Sequence, residues 1–367
     1  MKVMLGKDVY SNNSVYFMDT GSFGVHIISA TTRYGKSVLV KIFETQLAQE
    51  RPVIIFDFVG EHLLAKYPNF LNTWGMSFGV PGLKTVSDIC FKVSDFNNKE
   101  DWASMGFPPG ASSELANLVK YSDIYGDSFK RFVDFCKDIP TNPSHVNHFE
   151  KKYGIEFPPM HEATKGSIIT RLKLFDDFFW DFEKELKGEQ VYIENWGDYF
   201  INNPHLHINL KLYAGGFDIF KGRANCGKIL EQLAKSTKKG KFFYLHKMKP
   251  VIFVEEADIL APNMKMDDVE PSSLVWLRYY VMKLQRTGVE LFFVTQDPQL
   301  LDSIIISNYH NKFLGVIESK SDKGKYTDMT KHLRWDIQKN YREFLWEQKG
   351  RYRNIVFYPM DSPCALP

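Results

Sequence analysis

Residues 30 to 37 read Ala-Thr-Thr-Arg-Tyr-Gly-Lys-Ser. An apolar run, His26 to Ser29, leads into them, and the apolar-periodic segment SVLVKIFE follows at once. A lysine and a hydroxyl behind a glycine, at a strand-to-helix turn, are the residue types that hold a polyphosphate. Backbone N–H groups of the turn and of the helix start would face the anion. Ala30, Thr31, Thr32, Arg33, Tyr34 and Gly35 would form the cradle. Its binding groups are backbone, so the bulky Arg33 and Tyr34 can point outward. Lys36 would reach the outer phosphates, and Ser37 would hold Mg²⁺. The plainer alternative is a structural turn with an exposed lysine.

Two further strand ends carry chemistry. VIFVEE, 251 to 256, closes an apolar run with two carboxylates. Glu255 would bind the hydration shell of Mg²⁺, and Glu256 would take a proton from water as general base. Acids at a strand end are often no more than solvated; a lysine-bearing anion loop upstream favours the chemical reading. VTQDP places Gln296 at the end of another apolar run. Its amide could bond an attacking water or a terminal phosphate, or cap the turn that follows.

The elements that must position these groups are legible. PVIIFDF, 52 to 58, is a continuous apolar run, as is KPVIFV, and both suit strands covered on two faces. ELFFVT and KFLGVIES are two more strands, VYFMD an early one, and EFLWEQKG with RNIVFYP a closing hairpin. Helical periodicity follows Lys36 and recurs in GKILEQLAKS and SLVWLRYYVMKLQRTG, the last ending at Gly288. Strands alternating with helices predict a mainly parallel α/β sheet. Residues 96–204 differ in texture. They are rich in Phe, Lys and Asp, helical in period, and punctuated by Pro108-Pro109 and Pro158-Pro159. The expected organisation is a core formed by 1–95 and 205–367, interrupted by an α-helical insertion, 96–204.

At 367 residues the chain can bury a large core, and its 30 Phe and 18 Tyr read as aromatic packing. A net charge of +2 neither announces nor excludes a nucleic-acid partner, since a basic patch can hide inside a balanced total. The 4 cysteines are scattered without a CxxC pair, which argues against a zinc ribbon and a disulfide framework. The opening MKVMLGKDVYSNNS lacks the apolar core of a signal peptide, so none is expected, and no apolar run reaches membrane-spanning length. The expected compartment is the cytoplasm, or a virion if the chain is viral, with no membrane insertion.

The motif order resembles the HerA–FtsK superfamily of DNA-translocating ATPases, HerA most of all. FGVHIISATTRYGKS resembles the family's His-strand entry, with His26 in the His position. IIFDFVGEH resembles its acidic strand and turn, giving Asp57, Gly60 and Glu61. VIFVEEAD resembles its paired glutamates, and LQRTGVELFFVTQDP its arginine–glycine–strand–Gln segment. The resemblance covers about 1–95 and 205–320, and weakly the closing YPMDSP. It implies a RecA-like P-loop NTPase core, ATP and Mg²⁺ as ligands, Asp57 and Glu61 near the nucleotide, and a homo-oligomeric ring, usually a hexamer. It also implies an arginine acting on a neighbour's nucleotide, here either Arg286 or Arg278. Arg286 stands two residues before Gly288, where the family has it three before. The N-terminal barrel domain of full-length HerA proteins and the membrane anchor of FtsK are not expected here. The implied activity is ATP hydrolysis that moves DNA, in packaging, plasmid transfer or DNA processing, with a nuclease, capsid or transfer apparatus as partner. A conjugation- or secretion-type motor for protein or nucleoprotein, and a slow nucleotide-dependent scaffold, are the alternatives.

Lys238, Lys239, Lys241, Lys247 and Lys249, interleaved with aromatics, form a candidate DNA-facing segment, as does 319–332. Either is equally readable as a solvated loop. His205 with His207, and His145 with His148, lack a third ligand and read as structural.

Overall fold

The computed structural model describes residues 1–19, 21, 23–30, 35–58, 80–210, 218–235, 242–264, 270–284, 286–315, 343–349 and 355–359. The strands are β1 (Lys2–Asp8), β2 (Ser14–Met18), β3 (Gly24–Ser29), β4 (Val53–Asp57), β5 (Lys84–Val86), β6 (Ile89–Cys90), β7 (Val191–Tyr192), β8 (His205–Asn209), β9 (Val251–Val254), β10 (Glu290–Thr295), β11 (Asn311–Leu314), β12 (Phe344–Gln348) and β13 (Ile355–Pro359). Eleven of them form one sheet in the order β2-β1-β13-β12-β11-β3-β10-β9-β4-β8-β5. From β11 to β5 every pairing is parallel; β12, β13, β1 and β2 extend the other side antiparallel. This is the expected RecA-like α/β architecture with a mostly parallel sheet.

The apolar runs are continuous because alternate residues enter different cores. Val25 and Ile27, Ile54 and Phe56, Ile252 and Val254, Leu291 and Phe293 face one core. Ile28, Val53 and Ile55, Val251 and Phe253, Phe292 and Val294 face the other. Two-sided burial is the environment in which parallel strands lose polar alternation. The second core receives the Lys36–Leu47 helix through Leu39, Val40, Ile42, Phe43 and Leu47. The first receives the Asp218–Ala234 and Ser272–Lys283 helices together with the helix-rich 96–204 segment.

That segment is joined to the sheet by one continuous core rather than set apart from it. Trp102 is fully buried, and its indole N–H donates to the Phe96 carbonyl. Asp101 pairs with Lys228 of the Asp218–Ala234 helix at 2.6 Å. β6 and β7 form a small two-stranded parallel sheet across the segment's edge, at Ile89–Val191 and Cys90–Tyr192.

The Glu255–Glu256 strand is not beside the loop strand: β10 lies between β3 and β9. β1, not singled out from the sequence, is paired with β2 on one side and β13 on the other, and its Val3 and Leu5 enter the second core. No helix among the described residues is long and apolar enough to cross a membrane.

Candidate nucleotide site

β3, β9 and β10 run parallel, so their carboxyl ends deliver Lys36, Glu256 and Gln296 to one edge of the sheet. The Lys36–Leu47 helix opens at Gly35, whose φ of 87° is left-handed and open to glycine without strain. Among the described residues no side chain caps this helix start. Its first N–H groups lack intrahelical carbonyl partners, and an anion there would satisfy them.

Lys36 is almost wholly buried, with its ammonium 3.4 Å from Glu256 Oε1. The same oxygen takes a 3.4 Å contact from the Gln296 amide. Glu256 itself sits at φ 47°, ψ 51°, a left-handed conformation that costs a non-glycine residue about 1 kcal/mol or more. That turn ends β9 abruptly. Three separate strand ends thus converge on one carboxylate, with an ammonium and an amide on either side.

A second layer holds these ends. The Thr295 hydroxyl donates to Asp258 Oδ1 at 2.5 Å, and the Asp297 N–H donates to Thr295 Oγ1 at 3.2 Å. Asp258 was not among the residues singled out from sequence; its position in EEAD beside the paired glutamates is the available signal. Glu255 is buried, and its backbone N–H donates to the Phe56 carbonyl at 2.9 Å, tying β9 to β4. Ser37 lies half-buried in the first helical turn. A hydroxyl and a carboxylate are hard oxygen donors of the kind Mg²⁺ accepts while keeping several waters. Among the described residues there is no cluster of three or more His, Cys, Asp or Glu able to hold a metal alone.

Several candidates go elsewhere. Asp57 is fully buried, and its carboxylate is bonded to His207 Nε2 at 3.0 Å, while His207 Nδ1 meets Thr85 Oγ1 at 3.1 Å. This bond ties the end of β4 to β8. His26 lies in the amino-terminal half of β3, away from Lys36, and its Nε2 bonds Glu290 at 2.8 Å. Arg278 is taken within its own chain, by Glu270 and by Asp302 at 2.6 Å. Those two carboxylates hold its guanidinium above its ordinary pKa, Asp302 contributing most. Arg286 is exposed, and among the described residues it makes no ion pair. It precedes β10, whereas Gln296 follows it; six extended residues put about 20 Å between them. His145 and His148 are both exposed. Thr31, Thr32, Arg33, Tyr34, Gly60, Glu61, Lys238, Lys239, Lys241 and the 319–332 segment lie outside the described residues.

No protein-family model and no curated protein matches the sequence. Solved structures do match the fold. VirB4 of Thermoanaerobacter pseudethanolicus aligns over 100% of this chain and 98% of its own, with a TM-score of 0.59 and 15% identity. The bacterial conjugative coupling protein TrwB aligns over 93% of this chain and 82% of its own, with a TM-score of 0.50 and 12% identity. The genome packaging NTPase B204 of Sulfolobus turreted icosahedral virus 2 aligns over 92% and 98%, at 8% identity and a TM-score of 0.41, too low to carry an argument. The α/β fold of this chain is thus the fold of VirB4 and TrwB.

Proposed function

We propose that the protein is an ATP-hydrolysing motor of the HerA–FtsK type, working as a homo-oligomeric ring, a hexamer by resemblance, that moves double-stranded DNA. The observation that carries the reading is the meeting of Lys36, Glu256 and Gln296 beside a helix start that opens on Gly35. Backbone N–H groups of the first helical turn would hold the phosphates, and the Lys36 ammonium would leave Glu256 to neutralise them. Glu256, released from that contact, would take the proton of a water held by the Gln296 amide. Mg²⁺, held by Ser37 and through water by Glu255, would supply charge neutralisation on the phosphates. Ala30 and residues 31–35 would complete the cradle.

Arg278 is held in its own chain, which leaves Arg286 as the arginine offered to a neighbouring copy. Such a group can supply 10³-fold or more in rate, by about the magnitude known for arginine fingers. The helix-rich 96–204 segment is proposed as an elaboration of the core, with 1–95 and 205–367 forming the motor proper. A second reading, a conjugation-type motor acting on protein or nucleoprotein, draws on the likeness to VirB4 along the whole chain.

The test is ATP turnover with and without linear duplex DNA, alongside Lys36→Ala and Glu256→Gln. Expected is severalfold stimulation by DNA that weakens steeply with salt, and a loss of at least about 10²-fold in both variants. Turnover that ignores DNA but depends on both residues would favour the second reading. ATP binding without measurable turnover would favour a nucleotide-dependent scaffold.

A further inference from the structure

The turn that carries Arg286 is built on a buried charge network at the amino-terminal end of the parallel strands. Arg51, between the Lys36–Leu47 helix and β4, is at its centre and is 8% exposed. All five of its N–H groups are used. Nε and Nη2 donate to the Lys249 carbonyl at 3.1 and 2.9 Å, and Nη1 to Asp19 at 2.9 Å and Glu290 at 2.6 Å. The remaining Nη2 bond, 2.7 Å, ends on the carbonyl of Gly288. Gly288 closes the Arg286 turn at φ 78°, and a Cβ there would stand 3.1 Å from the Lys249 side chain and 3.2 Å from the Gly21 carbonyl.

The network is braced from the far side, and one proton assignment follows along it. The Trp346 indole can only donate, so Asn311 Oδ1 accepts it at 2.9 Å. The Asn311 amide nitrogen then donates to His26 Nδ1 at 2.9 Å, leaving His26 Nε2–H to donate to Glu290 at 2.8 Å. Glu290 receives His26 on one oxygen and Arg51 on the other. The start of β10, and the turn just before it, are held from two directions.

We propose that Arg51 is the positioning residue for Arg286, fixing the turn from which Arg286 meets the nucleotide of a neighbouring copy. The proposal rests on the ring reading above. A lysine could keep the charge opposite Asp19 and Glu290. It could not reproduce the planar fork that joins them to the Lys249 and Gly288 carbonyls.

Mixed assemblies test it. Lys36→Ala chains cannot use their own site but still present Arg286; Arg286→Ala chains have an intact site and no arginine to offer. Turnover regained on mixing the two establishes action between copies. Arg51→Lys and Arg51→Met then replace Arg286→Ala in the mixture. Expected alone is a fall of at least about tenfold in turnover with ATP affinity held, as a displaced catalytic group gives. Expected on mixing with Lys36→Ala is the same recovery as Arg286→Ala. If Arg286→Ala recovers and the Arg51 variants do not, Arg51 serves only its own chain's structure and the proposal is overturned. Wild-type turnover in Arg51→Lys overturns it too. If no pair recovers, the ring reading itself falls, and this inference with it. Where Arg51→Met does not fold, Arg51→Lys carries the test.

Discussion

The two ends of the parallel strands handle charge in opposite ways. At the carboxyl end, Lys36 and Gln296 approach Glu256 at 3.4 Å each, beyond the usual range of a good hydrogen bond. At the amino end, Arg51 is saturated, with Asp19 and Glu290 at 2.9 and 2.6 Å and backbone carbonyls on its other donors. Loose contacts leave groups able to change partner when a ligand arrives. Saturated contacts have nothing to release, and they hold backbone in place. The difference teaches that charge burial alone does not mark a site. The length of the contacts distinguishes the two ends: long at Glu256, short around Arg51.

The largest effect that would sharpen this contrast is on stability. Arg51→Met should lower the unfolding free energy by about 3–5 kcal/mol, because Asp19 and Glu290 are left buried without their cation. Lys36→Met should cost less, since it breaks a single long contact and the Glu256 left behind is more open to solvent than Asp19 or Glu290. Urea unfolding of both variants reads this directly, and equal losses would break the comparison.

A third cluster places one cation between two acids without Arg51's carbonyl partners. Lys228 lies 2.6 Å from Asp101 and 2.9 Å from Glu231. Burial, aided by the Glu231 charge, pushes the Asp101 carboxyl up from 3.8 to about 6, against the pull of Lys228. A raised carboxyl means that between these values the folded chain binds a proton the unfolded chain has lost. Stability from this group therefore rises as pH falls through 6 toward 4, and falls as pH rises across the same window. Measured as wild type minus Asp101→Asn, the unfolding free energy should drop by on the order of 2 kcal/mol from about pH 4 to about pH 7. A difference flat with pH would place this cluster with the saturated kind.

A modest effect is expected at Gly288. Gly288→Ala meets a left-handed φ and two close neighbours, and should cost about 1–2 kcal/mol in thermal unfolding. An alanine there without cost would mean the Arg286 turn is not held as tightly as Arg51's bonds imply.

Much of the fold was legible because buried parallel strands write themselves as unbroken apolar runs. PVIIFDF, KPVIFV and ELFFVT all became central strands, and EFLWEQKG with RNIVFYP an antiparallel pair. The candidate site was legible where its parts are local: a Gly-Lys-Ser after a strand, a Glu-Glu and a Gln at strand ends. Glu290, His26 and Arg51 gave a fainter signal, charged or polar residues inside or beside apolar runs, which marks a pairing without naming the partner. Asp57 and Arg278 show the limit of such signals: each is a charged residue in a motif position, and each also has a partner distant in sequence or off the motif.

By itself, then, the sequence determined the central strands, the main helices and the residue types at the strand ends, since burial pattern and turn chemistry are local. Strand order was decided only by tertiary structure, because parallel strands pair with neighbours across long crossovers that leave no mark in a short window. Placing β10 between β3 and β9 brought Gln296 and Lys36 to the same carboxylate of Glu256. Tertiary pairing also set the two arginines apart: Asp302 and Glu270 close around Arg278, and Arg286 faces solvent.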